Sequence, residues 1–173
     1  MTARAILLLA AVLALTACGE SQRQKAERAR DTHPIGALLG EGACYSAAFN
    51  AAHLEAHPDQ TLTAFSLKQA GEDIRTLDNE ETRHVSFSFR LKGDSDLYAG
   101  IAGCDAGYPD STCYVEGDGG EFRIRPLPND DLAIEITRLG VEGPTRFSPN
   151  LYDAPGNRSL VLARAPASAC GGD

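Results

Sequence analysis

The chain has 173 residues, with 16 Lys and Arg against 24 Asp and Glu, for a formal net charge of −8. This length accommodates a leader plus one domain with a real core, and so acidic a chain excludes nucleic acid as an expected partner. Five cysteines in so short a chain point to an oxidising compartment.

Residues 1–17, MTARAILLLAAVLALTA, carry one positive side chain, Arg4, and then run apolar from Ala5 to Leu15. That is the layout of a secretory signal, and the run is too short for a spanning helix, which needs about 20 residues. No later segment is apolar for long enough to span either. The next feature is Leu15-Thr16-Ala17-Cys18, a leucine and two small residues before a cysteine.

This segment resembles the lipobox of bacterial lipoproteins. The resemblance is confined to the leader and says nothing of the fold beyond it. It implies that the Cys18 thiol carries a diacylglyceryl group, that a dedicated peptidase cuts before Cys18, and that the new amino group is acylated. Small neighbours let the backbone enter a protease cleft, and the thiol supplies the nucleophile. Each buried methylene adds about 0.8 kcal/mol, so two or three acyl chains such as palmitate on one cysteine anchor durably where one holds marginally. In that class an aspartate after the cysteine tends to retain the protein at the inner membrane. Gly19 therefore implies the outer membrane, facing the periplasm, with the inner membrane and the cell surface as the other destinations.

Residues 18–34 read as a polar tether. Residues 21–30 hold four Lys/Arg against one Glu, a net +3, whereas residues 31–173 hold eleven against twenty-two, a net −11. Such a basic stretch can rest against anionic headgroups or serve as a solvated spacer. It ends at His33-Pro34, because a residue before proline avoids the helical region. Residues 35–173 then read as a single disulfide-stapled domain.

Within that domain, helical spacing of Tyr45, Ala48, Phe49, Ala52 and Ala56 predicts a helix between Ile35 and Ala56, bounded by Pro58. Period two follows. In RHVSFSFRLK, Val85, Phe87, Phe89 and Leu91 alternate with His84, Ser86, Ser88 and Arg90, the clearest strand in the chain. EFRIRPL and DLAIEIT form a hairpin around the turn PLPND, while DLYAGIAGC and TCYVE flank a cysteine loop. EGDGGEF supplies the glycines of a tight turn, and TLTAFSL and SLVLAR are weaker strand candidates. The expected fold is α+β and mainly β: one N-terminal helix against an antiparallel meander of about six to eight short strands, as a curved sheet, barrel or sandwich.

With Cys18 assigned to lipid, Cys44, Cys104, Cys113 and Cys170 remain, an even set that allows three connectivities. The expected pairs are Cys104–Cys113, closing the short loop DAGYPDST, and Cys44–Cys170, tying the start of the domain to its end. No C-x-x-C occurs, which argues against a zinc site. His53 and His57 stand at helical i, i+4 spacing with Glu55 between them, but no third ligand follows; His84 faces solvent on its strand. G-x-S-x-G is absent, so no catalytic residue is assigned, and an enzyme is the less favoured reading.

The stretch from Gly93 to Phe122 holds Asp94, Asp96, Asp105, Asp110, Glu116, Asp118 and Glu121 and no Lys or Arg. Asp94-x-Asp96 and Gly117-Asp118-Gly119-Gly120 have the oxygen donors and glycines of calcium loops, although the full spacing is missing, so calcium is a weak option and no other cofactor is expected. Loop-tip aspartates that keep turns soluble are the plain alternative. A surface of one sign can also steer a cationic protein, with Asp94, Asp96, Asp105, Asp110 and Asp118 as its candidate residues. The functional expectation is a membrane-anchored binding or envelope-associated module. The alternatives are an inhibitor of a cationic hydrolase such as lysozyme, or a hydrolase whose groups converge only in the fold.

Overall fold

The computed structural model describes residues 34–40, 42–79, 81–107 and 110–171. The leader, Cys18 and the basic tether lie outside the described residues. Eight strands form: β1 (Cys44–Ala48), β2 (Leu62–Gln69), β3 (Thr82–Leu91), β4 (Tyr98–Asp105), β5 (Ser111–Val115), β6 (Gly120–Pro126), β7 (Leu132–Leu139) and β8 (Ser159–Ala165). Each is antiparallel to the next, and β1 also pairs with β8, Cys44 opposite Ala165 and Ser46 opposite Ala163. The expected mainly-β meander is therefore closed into a barrel, which leaves no unpaired sheet edge among the described residues.

Alternation decides which side chains point inward. In β3, Val85, Phe87, Phe89 and Leu91 are buried while His84, Ser86 and Ser88 are half-buried on the outer face. Arg83 also points inward, and its guanidinium donates to the carbonyls of Asn79 and Thr82. Rings from β2, β3, β4 and β6 fill the middle of the barrel. Phe87 and Phe122 meet edge to face at 5.5 Å between centroids, and Phe89 stacks on Tyr98 at 5.2 Å. Such pairs add about 0.5–1.5 kcal/mol beyond the area they bury.

The expected helix between Ile35 and Ala56 is a correction. The segment divides into helix α1 (Pro34–Leu38), strand β1 and helix α2 (Ala51–Ala56). Asn50 starts α2, its side chain accepting the His53 N–H at 2.9 Å. The alanine-rich composition favours helix locally, but isolated short helices are marginal and tertiary pairing outweighs propensity. As a strand, the segment buries Tyr45 in the core and pairs on both sides at once, which is what closes the barrel.

Up-and-down topology sorts the connections into two rims. The β1–β2, β3–β4, β5–β6 and β7–β8 connections share one rim, and the β2–β3, β4–β5 and β6–β7 connections share the other with the entry into β1. At the entry rim, Ile35 of α1 and Leu39 just after it insert into the core; at the opposite rim, Leu151 of the 3-10 turn Leu151–Asp153 does the same. The long β7–β8 connection is pinned by Asn157, which is fully buried. Its Oδ1 accepts the N–H groups of Thr61 and Leu62 at 3.0 and 2.9 Å, and its Nδ2 donates to Thr61 Oγ1 and the Leu151 carbonyl.

Two disulfides are present, Cys44–Cys170 and Cys104–Cys113. The second joins residues directly opposite each other on β4 and β5, inside the core. The first holds the 3-10 turn Ala167–Cys170 against the outer face of β1 and β2.

Candidate functional site

The five candidate aspartates are distributed over three places rather than gathered at one. Asp94 and Asp96 occupy the β3–β4 connection and fasten it to the β7–β8 connection. Asp94 Oδ2 accepts from Arg146 Nη2 at 2.6 Å and from the Tyr98 hydroxyl at 2.8 Å, and Oδ1 accepts the Asp96 N–H. Arg146, the Asp96 amide and Tyr98 together lower the Asp94 pKa to about 2. Asp96, itself buried, accepts the Thr145 hydroxyl at 2.5 Å and the Thr145 N–H at 3.3 Å. Both carboxylate oxygens of Asp94 and Oδ2 of Asp96, which sequence offered to calcium, are therefore engaged by donors of the same chain.

At the entry rim, Asp105 Oδ1 accepts the N–H groups of Gly107 and Thr112 and so shapes the disulfide loop from inside. Asp110 lies 3.7 Å from Arg125. Asp118 is at the opposite rim, on the exposed β5–β6 turn, where its carbonyl accepts from Arg138 Nη2 at 3.0 Å. Among the described residues, no group of three or more His, Cys, Asp or Glu is placed to hold a metal ion.

The three histidines among the described residues have local duties. The His53 and His57 rings stack at 4.2 Å, His57 Nδ1 bonds the His53 carbonyl, and His53 Nε2 bonds Gln60. His84 belongs to a pair that sequence reasoning missed. Its Nδ1 lies 2.8 Å from Oδ1 of Asp78, whose side chain is 2% exposed, and the same oxygen accepts the His84 N–H. A carboxylate at Nδ1 accepts a proton carried there, and in the neutral ring that leaves Nε2 as the acceptor. That nitrogen faces the space beside Gly103, shared with the Thr82 methyl. This is the orienting half of an acid–base arrangement, but no hydroxyl or thiol among the described residues hydrogen-bonds to Nε2. The two residues are six apart across the β2–β3 connection, and no sequence pattern marks them.

Clefts open on the outside of the barrel. One of about 540 Å³ lies between the C-terminal 3-10 turn and the β2–β3 connection, beside Lys68, Gln69, Glu72 and Arg75. Two more, of about 420 and 330 Å³, cover the outer face of β2–β4, where Ser66 and Ser88 hydrogen-bond across strands. A fourth, of about 520 Å³, lies beside Tyr114. No family model, no curated protein and no solved structure matches this chain.

Proposed function

We propose that the protein is a lipid-anchored, periplasm-facing binding module that acts through its outer surface and captures a cationic partner protein rather than turning over a substrate. The observation that carries this reading is the filled barrel: Phe65, Phe87, Phe89, Tyr98 and Phe122 occupy the space that would otherwise house a ligand. Binding is thereby left to the rims and the outer face, where the excess of carboxylates over cations in residues 31–173 favours a basic surface. Acylated Cys18 supplies the bilayer contact.

A cationic hydrolase such as lysozyme is the specific partner to try first. Mature protein extracted in detergent and added in molar excess at low ionic strength slows lysozyme-catalysed lysis of cell walls, and the effect fades as salt screens the charges. Unchanged lysis at every salt concentration removes lysozyme as the partner. Failure of the protein to bind any of a panel of basic proteins removes the reading as a whole.

A further inference from the structure

On the outer face of β5, β6 and β7, Tyr114, Glu121 and Arg138 are successive cross-strand partners. On its other side Tyr114 faces Gly103 of β4, which has no side chain to cover the ring. Tyr114 is accordingly 54% exposed. The three side chains line the cleft of about 520 Å³, together with Gly117, Gly120 and Thr137.

Two backbone features shape this cleft. Gly120 has φ +95°, and a Cβ there would lie 2.2 Å from the Arg138 carbonyl oxygen, so only glycine lets β7 approach this closely. Thr137 is the extra residue of a β-bulge, since Glu121 opposes Arg138 while Phe122 opposes Ile136. Bulges re-aim the side chains beside them.

Glu121 and Arg138 stand opposite each other, yet neither forms an ion pair among the described residues. Arg138 spends one N–H on the Asp118 carbonyl, which holds the guanidinium at the turn. An acceptor and a donor roughly 5 Å apart at their Cβ atoms, next to an open aromatic face, complement an amide carried on a ring with an apolar C–H face. Such a ligand would set its amide N–H against Glu121, its carbonyl against Arg138 and its apolar ring face on Tyr114. Their opposite charges cancel, so the cleft does not select an ion. The closed barrel also denies a peptide the strand edge it would pair with.

We propose that this cleft binds a neutral saccharide chain of N-acetylated hexosamines, with Tyr114 as the stacking platform and Glu121 and Arg138 as the amide clamp. The site is distinct from the capture of a cationic protein, and either can fail without the other.

The test titrates the tetramer of N-acetylglucosamine into the full mature protein, held in micelles of a detergent without a sugar headgroup, by calorimetry and amide NMR. The expected result is saturable binding with the largest shifts at Gly117, Gly120 and Thr137. Tyr114→Ala weakens it about tenfold, and Tyr114→Phe stays within about threefold. Arg138→Gln also weakens binding while thermal unfolding is unchanged, which separates a lost contact from a lost fold. No saturation by about 20 mM tetramer overturns the proposal. So does equal binding by a blocked tetra-alanine peptide, or binding that Tyr114→Ala and Arg138→Gln both leave intact.

Discussion

Removing the Asn157 side chain tests how the β7–β8 connection is held. Asn157→Ala deletes four hydrogen bonds at a position with no solvent exposure. The Leu62 N–H is the buried partner left without it, whereas the Leu151 carbonyl keeps the Ala154 N–H and the Thr61 groups are partly buried and closer to water. An orphaned buried backbone group costs about 1–3 kcal/mol, and an ordinary exchanged hydrogen bond about 0.5–1.5 kcal/mol. Taking the Leu62 amide as orphaned and the other three bonds as exchanged at about 0.5 kcal/mol each, the expected loss is about 2.5–4.5 kcal/mol. For a domain of this size, that lowers the thermal midpoint by roughly 5–15 °C. The assay is urea unfolding at neutral pH with both disulfides intact, read by circular dichroism, alongside Ser159→Ala as an exposed control. The midpoint should fall while the slope stays constant, because the surface exposed on unfolding is unchanged. A loss below about 0.5 kcal/mol would refute the reasoning, since it would mean that the two amides and the carbonyl find equal partners without the asparagine.

Three further outcomes are expected. Asp94, whose folded pKa of about 2 lies below its unfolded value, contributes stability that is fully present above about pH 4 and is lost as pH falls towards 2. Arg146→Gln should move the Asp94 carboxyl back up in a side-chain NMR titration, and an unmoved titration curve would contradict the assigned cause. The paired replacement Cys44→Ala/Cys170→Ala should cost more stability than Cys104→Ala/Cys113→Ala. The bridged residues are 126 and 9 apart, which corresponds to about 5 against 3 kcal/mol in the chain-entropy account; a reversed order in chemical denaturation would sink that account. Gly120→Ala should destabilise the β5–β7 corner, because the new methyl would be placed against the Arg138 carbonyl at a positive φ; hydrogen exchange at Thr137 and Arg138 that stays as slow as in the parent would show that the corner tolerates it.

How far the sequence could be read varied by segment for physical reasons. β3, β6 and β7 were legible because a barrel wall has one dry face, and alternating Val, Phe, Ile and Leu record it directly. β1 was not, because its outer residues Ser46 and Ala48 and its inner Ala47 are all small, which erases period two and mimics a helical stripe. Its pairing with β2 on one side and with β8, more than a hundred residues away, on the other makes it a strand. The aspartates of residues 93–122 were visible as a charge run, but their partners were not. Arg146 and Thr145 reach Asp94 and Asp96 from a connection fifty residues on, so acids that look free in sequence are spent inside the fold. In sequence Tyr114 is an ordinary strand residue, since the bare Gly103 beside it appears only once the register is known.

The place where this barrel acts depends on Cys18. Intact-mass and N-terminal peptide analysis of protein purified from its native host tests that most directly. The account predicts a chain beginning at Cys18 and carrying a diacylglyceryl group with an acylated amino terminus. A chain with an unmodified thiol at that position, or one that starts elsewhere, would contradict it and detach the barrel from the membrane.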